Sequence, residues 1–195
     1  MLRAELRRQG FLGVVRYVPL PGNNPALDIT ANELEAILAD GMGSWWVQHV
    51  RFPGWRPGAC DAEADARHAV EFAKAAGYAP GTHGFADAEG MAASTTEAEA
   101  VAFYRAWTRV LVAEGFSAGM YAGYDDALTA VDLYELPDAT SYWSDMAKRK
   151  VAVRGTAVVQ EAQVTILGVP FDPNVVAPDF KGETPFWTVA AQPNA

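Results

Sequence analysis

Apolar and polar positions along the chain fall into two alternating kinds of stretch. One kind is short and nearly continuously apolar: residues 11–18, 44–50, 82–88, 117–123, 140–145 and 155–161. Such runs, rich in β-branched and aromatic side chains and bounded by Gly, Pro or Asn, predict strands buried on both faces, as in a parallel sheet. The other kind is longer and mixes Ala with charged residues. Thr30 with Glu33, Asp61, and Ser94 with Glu97 predict helix starts, because these side chains cap free backbone N–H groups. Gly10, Gly41, Gly77 and Gly115 predict the matching stops. The helices so framed cover residues 2–9, a run from Thr30 to about Asp40, residues 61–76, and a run up to Glu114; a shorter one covers 125–136. A Pro/Gly/Asn-rich loop fills 19–28. A last strand-like stretch lies within 167–176, and the segment 184–190 reads as one more strand or as a surface-packed tail.

Strand and helix alternate throughout, which predicts parallel strands joined by crossovers. With seven strands and an eighth in the tail, the fold class is α/β. The natural closure is a (β/α)8 TIM barrel, irregular or lacking its usual first strand, with a doubly wound open sheet as the alternative. One barrel domain is expected over residues 1–180, followed by a C-terminal tail, 181–195. No Gly-x-Gly-x-x-Gly follows the first strand, so a dinucleotide site is not supported.

Composition narrows the partners. A length of 195 residues, half of them hydrophobic, suits a single domain with a sizeable core. A net charge of −9 argues against nucleic acid and anionic membranes, and is compatible with neutral or cationic polymers, including sugars. Six Trp and seven Tyr supply faces that stack on ligand rings. The lone Cys60 excludes an internal disulfide, and no Cys/His spacing resembles a zinc site, so neither metal nor other cofactor is expected. The first ten residues are too charged for a signal peptide, and no apolar run is long enough for a membrane span.

The candidate chemistry centres on residues 81–90. Alternation along that strand puts His83, Phe85, Asp87 and Glu89 on one face and the small Gly84, Ala86 and Ala88 on the other. Two neighbouring carboxyls repel, which raises the proton affinity of one of them and yields an acid beside a carboxylate. His83, low in its strand, is expected to be a packed core residue. In a barrel the functional side chains lie at the carboxyl ends of the strands. Those ends offer Arg16 and Tyr17, Gln48 and His49, Asp87 and Glu89, Tyr121, Trp143 and Asp145, Gln160 and Glu161, and Asp172 and Asn174. Carboxylates, amides and aromatics without a nucleophilic Ser or Cys suit hydrolysis of a glycosidic bond.

The segment Phe85-Ala86-Asp87-Ala88-Glu89 resembles the Asp-x-Glu strand of family 25 glycoside hydrolases, the lysozyme-type muramidases. Val159-Gln160-Glu161-Ala162 followed by Gly168 and Asp172-Pro173-Asn174 is similar to that family's closing pattern, and Trp143 sits on a matching strand. Arg16-Tyr17, Ile29-Thr30, Asp61-Ala62 and Gly119-Met120-Tyr121-Ala122-Gly123 resemble a related group: glycoside-hydrolase-like barrel domains of unknown function from actinobacterial secreted proteins and phage lysins. The resemblance covers roughly residues 8–176. It implies Glu89 as general acid, Asp87 as stabiliser of the cationic transition state or orienter of an acetamido group, and Asp172 as modulator of the pair. It places Tyr121, Trp143 and Gln160 along a sugar site; Arg16, Tyr17, Gln48, Asp145 and Asn174 complete the expected substrate-binding set. The implied substrate is peptidoglycan or another polymer of N-acetyl sugars.

Both families begin with a Gly-x-Asp strand ahead of the first helix, and no such strand precedes residues 2–9. The barrel should then have an edge, which the tail 186–189 or a partner chain is expected to fill. Two functional readings stand: a hydrolase of cell-wall glycan, or an inactive barrel that binds glycan or is a structural part of a larger assembly such as a phage virion. Either acts at the cell wall, reached through a virion, lysis or export as part of a larger system.

Overall fold

The computed structural model describes residues 1–22, 28–124, 127–146 and 151–191. The elements run α1 (Leu2–Arg8), β1 (Gly13–Val18), α2 (Ala31–Ala39), β2 (Gly43–Gln48), α3 (Ala62–Ala76), β3 (His83–Asp87), α4 (Glu97–Ala113), β4 (Ser117–Ala122), α5 (Ala130–Glu135), β5 (Ala139–Ser144), β6 (Val158–Gln160), β7 (Val164–Ile166), β8 (Val169–Phe171) and β9 (Asn174–Val176). A 3-10 turn, Pro57–Ala59, precedes α3. Local chemistry sets most boundaries. Asp61 caps α3 by accepting from Ala64 N, and Gly77 closes it in the left-handed conformation at φ 100. Thr30 accepts from Glu33 N, but the Glu33 carboxylate turns to Arg16 at 2.8 Å instead of back to the cap, so only half of the expected box forms. The box at α4 is complete but shifted by two residues, joining Thr96 to Glu99 rather than Ser94 to Glu97. The predicted helix 125–136 shrinks to the six residues of α5, and its first two positions lie outside the described residues.

Seven strands pair in the order β1-β2-β3-β4-β5-β6-β9, parallel from β1 to β6, and curl into a half-barrel. The end of the chain departs from the parallel expectation. β6 keeps three residues of the predicted 155–161, and β9 runs antiparallel to it. The single strand expected within 167–176 is split into β8 and β9, and β8 forms a hairpin with the preceding β7, turned at Leu167 and Gly168, both at positive φ, as a type I′ two-residue turn requires. Among the described residues no ladder joins β9 to β1, so the sheet is an open half-barrel and not a closed eight-stranded ring. The outer edge of β1 is met by Ile29, whose N–H donates to Tyr17 O, and α1 packs on β7 across the opening.

Alternation divides the apolar side chains into two cores. Trp46, Ala86, Met120 and Tyr142 face the helices with Leu111, Trp107 and Val70. Trp45, Val47, Phe85, Tyr121, Trp143 and Val158 face the concave lumen. Adjacent Trp45 and Trp46 thus bury in opposite cores, as a strand covered on both faces requires. Glycines make the room. A Cβ on Gly84 would lie 2.2 Å from the Trp46 ring, and one on Gly119 would lie 2.5 Å from Phe85; each pair is in register on neighbouring strands.

The tail does not fill the edge of β1, as the sequence led one to expect. It docks across the floor of the lumen, at the amino ends of the strands. Thr188 exchanges backbone hydrogen bonds with Ser44, and its hydroxyl meets that of Thr82 at 2.6 Å. Trp187 stacks on Trp45 at 5.3 Å and lies over Gly13 and Gly43, where any Cβ would collide with its ring. Phe186 N donates to His83 Nδ1 (2.9 Å), and the other ring nitrogen faces Thr140 Oγ1 (3.0 Å). Burial pushes the His83 pKa down to about 4, so the imidazole is a neutral structural group, as expected. Behind it Arg154, buried, pairs with Asp179 (3.0 Å) and Glu183 and holds the start of the tail.

Removing the Trp187 ring opens a void between two glycines and Trp45. Trp187→Ala is expected to lower unfolding free energy by about 2–4 kcal/mol, against under about 1 kcal/mol for the exposed Phe186→Ala. Urea titrations of the two variants check this; equal losses would contradict the floor-plug role of Trp187.

Candidate functional site

β3 lies inside the sheet, and its lumen face ends in Asp87. Asp87 stands in register with Tyr121 of β4. Glu89 N donates to Asp87 Oδ1 at 3.1 Å, which folds the chain back so that both carboxyls share the mouth of the lumen. Burial, followed by the neighbouring charge of Glu89, pushes the Asp87 pKa up to about 8; the Glu89 N–H bond opposes this only in part. Near neutral pH Asp87 therefore keeps its proton.

Glu89 is fixed from several directions. Its carbonyl accepts from Trp55 Nε1 at 2.8 Å. Its carboxyl lies on the backbone of Gly123, where an added Cβ would fall 1.9 Å from Oε1. It also hydrogen-bonds the Tyr121 hydroxyl. That hydroxyl donates to Gln160 Oε1 at 3.1 Å. Burial and the charges of Glu89, Asp87 and Asp145 raise the Tyr121 pKa, so the phenol stays protonated. Trp143 meets Tyr121 edge to face at 4.5 Å. On the other side Tyr17 closes the mouth. Its pKa is raised by burial and then by the charges of Asp87, Asp172 and Glu89, so all three acids are within electrostatic reach of its hydroxyl. Asp172 comes from the β8–β9 turn, where Gln163 donates to it at 3.1 Å; Asn174, in register with Gln160, donates to its carbonyl.

The structure therefore brings together Asp87, Glu89, Asp172, Tyr17, Tyr121, Trp143, Asp145, Gln160 and Asn174. It does not bring Arg16 and Gln48 to this face. Both stand at even positions whose side chains point to the helices. Arg16 pairs with Glu33 on α2. Gln48, buried, donates to Asp65 O (2.8 Å) and Pro19 O and accepts from Trp107 Nε1 (2.7 Å), tying β2 to α3 and α4. Their odd-numbered neighbours Tyr17 and His49 are the ones that face the mouth, and the two rings stack at 4.1 Å. His49 is held by Asp28, buried, at 2.7 Å. Sequence reasoning missed Asp28, the Trp55 contact and the space at Gly123. Strict period-two counting on β1 and β2 finds the odd face; Asp28 and Trp55 sit on loops that no periodicity reaches. Among the described residues no group of three or more His, Cys, Asp or Glu side chains is placed to hold a metal ion.

Chemically the mouth offers one protonated carboxyl, a second carboxyl beside it, phenol and amide hydrogen-bonding groups, and ring faces. Comparison with known proteins agrees with the kind of fold that carries it. Two crystal structures of the Mycobacterium tuberculosis Tat-secreted protein Rv2525c are similar to this chain. The complex with HEPES gives a TM-score of 0.68 at 18% identity, covering 91% of each chain. The complex with L-tartrate gives 0.68 at 17% identity, covering 92% of this chain and 94% of that one. An uncharacterized B. stearothermophilus protein gives 0.60 at 17% identity, covering 83% and 82%. At these identities the likeness is one of fold. A search of curated proteins finds no match. The model of the Rv2525c-like, glycoside hydrolase-like domain matches residues 4–176, and the chain belongs to that family.

Proposed function

We propose that the mouth of the half-barrel is a glycan site, and that Asp87 and Glu89 hydrolyse a glycosidic bond of an N-acetyl-sugar polymer such as cell-wall peptidoglycan. The observation that carries this reading is the burial of Asp87 beside a second carboxyl, an arrangement that raises its proton affinity. Closely coupled acids titrate as a pair. Near neutrality this pair keeps a proton for the leaving oxygen, while its ionised member faces the cationic centre. The resemblance of the Asp-x-Glu strand to family 25 glycoside hydrolases supports delivery of that proton through Glu89: the shared proton moves from Asp87 to Glu89, and Asp87, then ionised, is the member that faces the cationic centre. Asp172 acts on Tyr17 at the same mouth, and the resemblance implies it as modulator of the pair, while Tyr121, Trp143, Asp145, Gln160 and Asn174 hold the sugar. Tat secretion of Rv2525c supports export of this chain to the wall. The edges of β1 and β9, which no further strand pairs among the described residues, favour a second reading, a glycan-binding part of a larger assembly, phage particles included.

Turbidity of bacterial cell walls separates the two. The hydrolase reading predicts clearing by the wild type and a loss of about 10²-fold or more in Glu89→Gln, with the fold retained. Binding without clearing across a range of walls leaves the second reading in its place. Gly123→Ala should be nearly as damaging, since its methyl would occupy the position of Glu89 Oε1; unchanged clearing in that variant would contradict the placement of Glu89.

The protonation of Asp87 also has a thermodynamic consequence. Unfolded, an Asp ionises near pH 4, whereas the folded carboxyl holds its proton to about pH 8. Between those values the folded state binds more protons, so this group makes stability fall as pH rises, by up to about 1.4 kcal/mol per pH unit. Asp87→Asn removes that slope. Its melting temperature should match the wild type near pH 4 and exceed it increasingly toward pH 8. A constant difference across that range would show that Asp87 is ionised in the folded protein.

A further inference from the structure

Beyond the mouth itself, three loops meet at Gly90. Gly54 N donates to Gly90 O at 2.7 Å, and Gly90 N donates to Tyr124 O at 3.1 Å. Gly90 has φ +70, and a Cβ there would lie 3.4 Å from Pro53 Cα and 3.6 Å from the Tyr124 hydroxyl. The loop before α3 is thus clamped to the segment that carries Glu89. Trp55 adds its bond to Glu89 O, and Ala92 N donates to Trp55 O at 2.8 Å. Arg51 fixes the loop's other end, paired with Asp65 on α3 at 2.7 Å and lying over the Trp55 ring. This anchored loop projects Phe52 into solvent at 93% exposure, with Tyr124 half exposed on the far side of Gly90. No packing of the fold needs a bare phenyl ring there. The rings are neutral and flank a mouth lined by acids.

We propose that Phe52 and Tyr124 form a second, remote subsite, a stacking platform for a sugar ring one or more units away from the bond held at Asp87 and Glu89. This inference rests on the glycan reading of the mouth. The ligand class is an extended glycan of N-acetyl sugars, whose rings present C–H faces that pack on aromatic rings without needing a counter-charge. A rigidly presented ring adds contact at little ordering cost, because the loop is already locked. The platform acts on long chains alone, because a short glycan filling the mouth does not reach it.

The test is equilibrium binding of wild type, Phe52→Ala and Phe52→Trp to peptidoglycan glycan strands fractionated by length. Wild-type affinity should rise with strand length. Phe52→Ala should weaken the longest fraction about five- to tenfold and leave the shortest unchanged, while Phe52→Trp restores the long-chain affinity. Phe52 is exposed, so the fold is not at stake. Length-dependent binding that Phe52→Ala leaves intact overturns the platform while sparing the glycan reading. Equal weakening at all lengths places Phe52 in the mouth and also overturns the platform. No binding of any fraction by the wild type overturns the glycan reading and the platform with it.

Discussion

Large side chains seated on glycines hold this molecule together across its strands. Trp46 occupies the space above Gly84 on the helix side, and Phe85 occupies that above Gly119 on the lumen side. Trp187 covers Gly13 and Gly43 on the floor, and Glu89 rests on Gly123 at the mouth. Each contact needs the absence of a Cβ on one side and bulk on the other, and the first two, made between strands, also fix register between neighbours. The series runs from floor to mouth, and the packing that fills the lumen also sets where the acid pair can lie.

The lumen is apolar below and acidic above. Phe85, Trp143 and Tyr121 form a ring-lined wall beneath the carboxyls. That wall buries the inner side of Asp87 and makes burial the largest cause of its raised proton affinity. Glu89 adds a like charge from two residues away. The site thus draws its proton-holding group from apolar packing, with no buried cation required. The neutral His83 lies on the same face at the opposite end, where its hydrogen bonds serve the tail.

Much of this was legible in the sequence, and the failures have definite causes. Apolar runs and caps gave six of the strands and the helices that join them, because both faces of a parallel strand are buried and Gly or Thr marks the ends. The acid pair was legible because Asp87 and Glu89 alternate with Gly84, Ala86 and Ala88. Arg16 and Gln48 were misplaced because position at a strand end was weighed without facing; one residue's difference turns a side chain from lumen to helix. The terminal region was misread as one parallel strand because its hairpin rests on a Leu167-Gly168 turn and its strands are three residues long. The tail's docking on the floor, and Asp28 behind His49, depend on long-range contacts that leave no periodic trace.

The central claim, that Asp87 keeps a proton near neutrality, is open to direct measurement. Carboxyl carbon NMR of the protein, with the Asp87 resonance assigned from its loss in Asp87→Asn, follows that group through a pH titration. The account predicts an Asp87 carboxyl still protonated at pH 7 and titrating near pH 8. An Asp87 resonance fully ionised by pH 5 would contradict it.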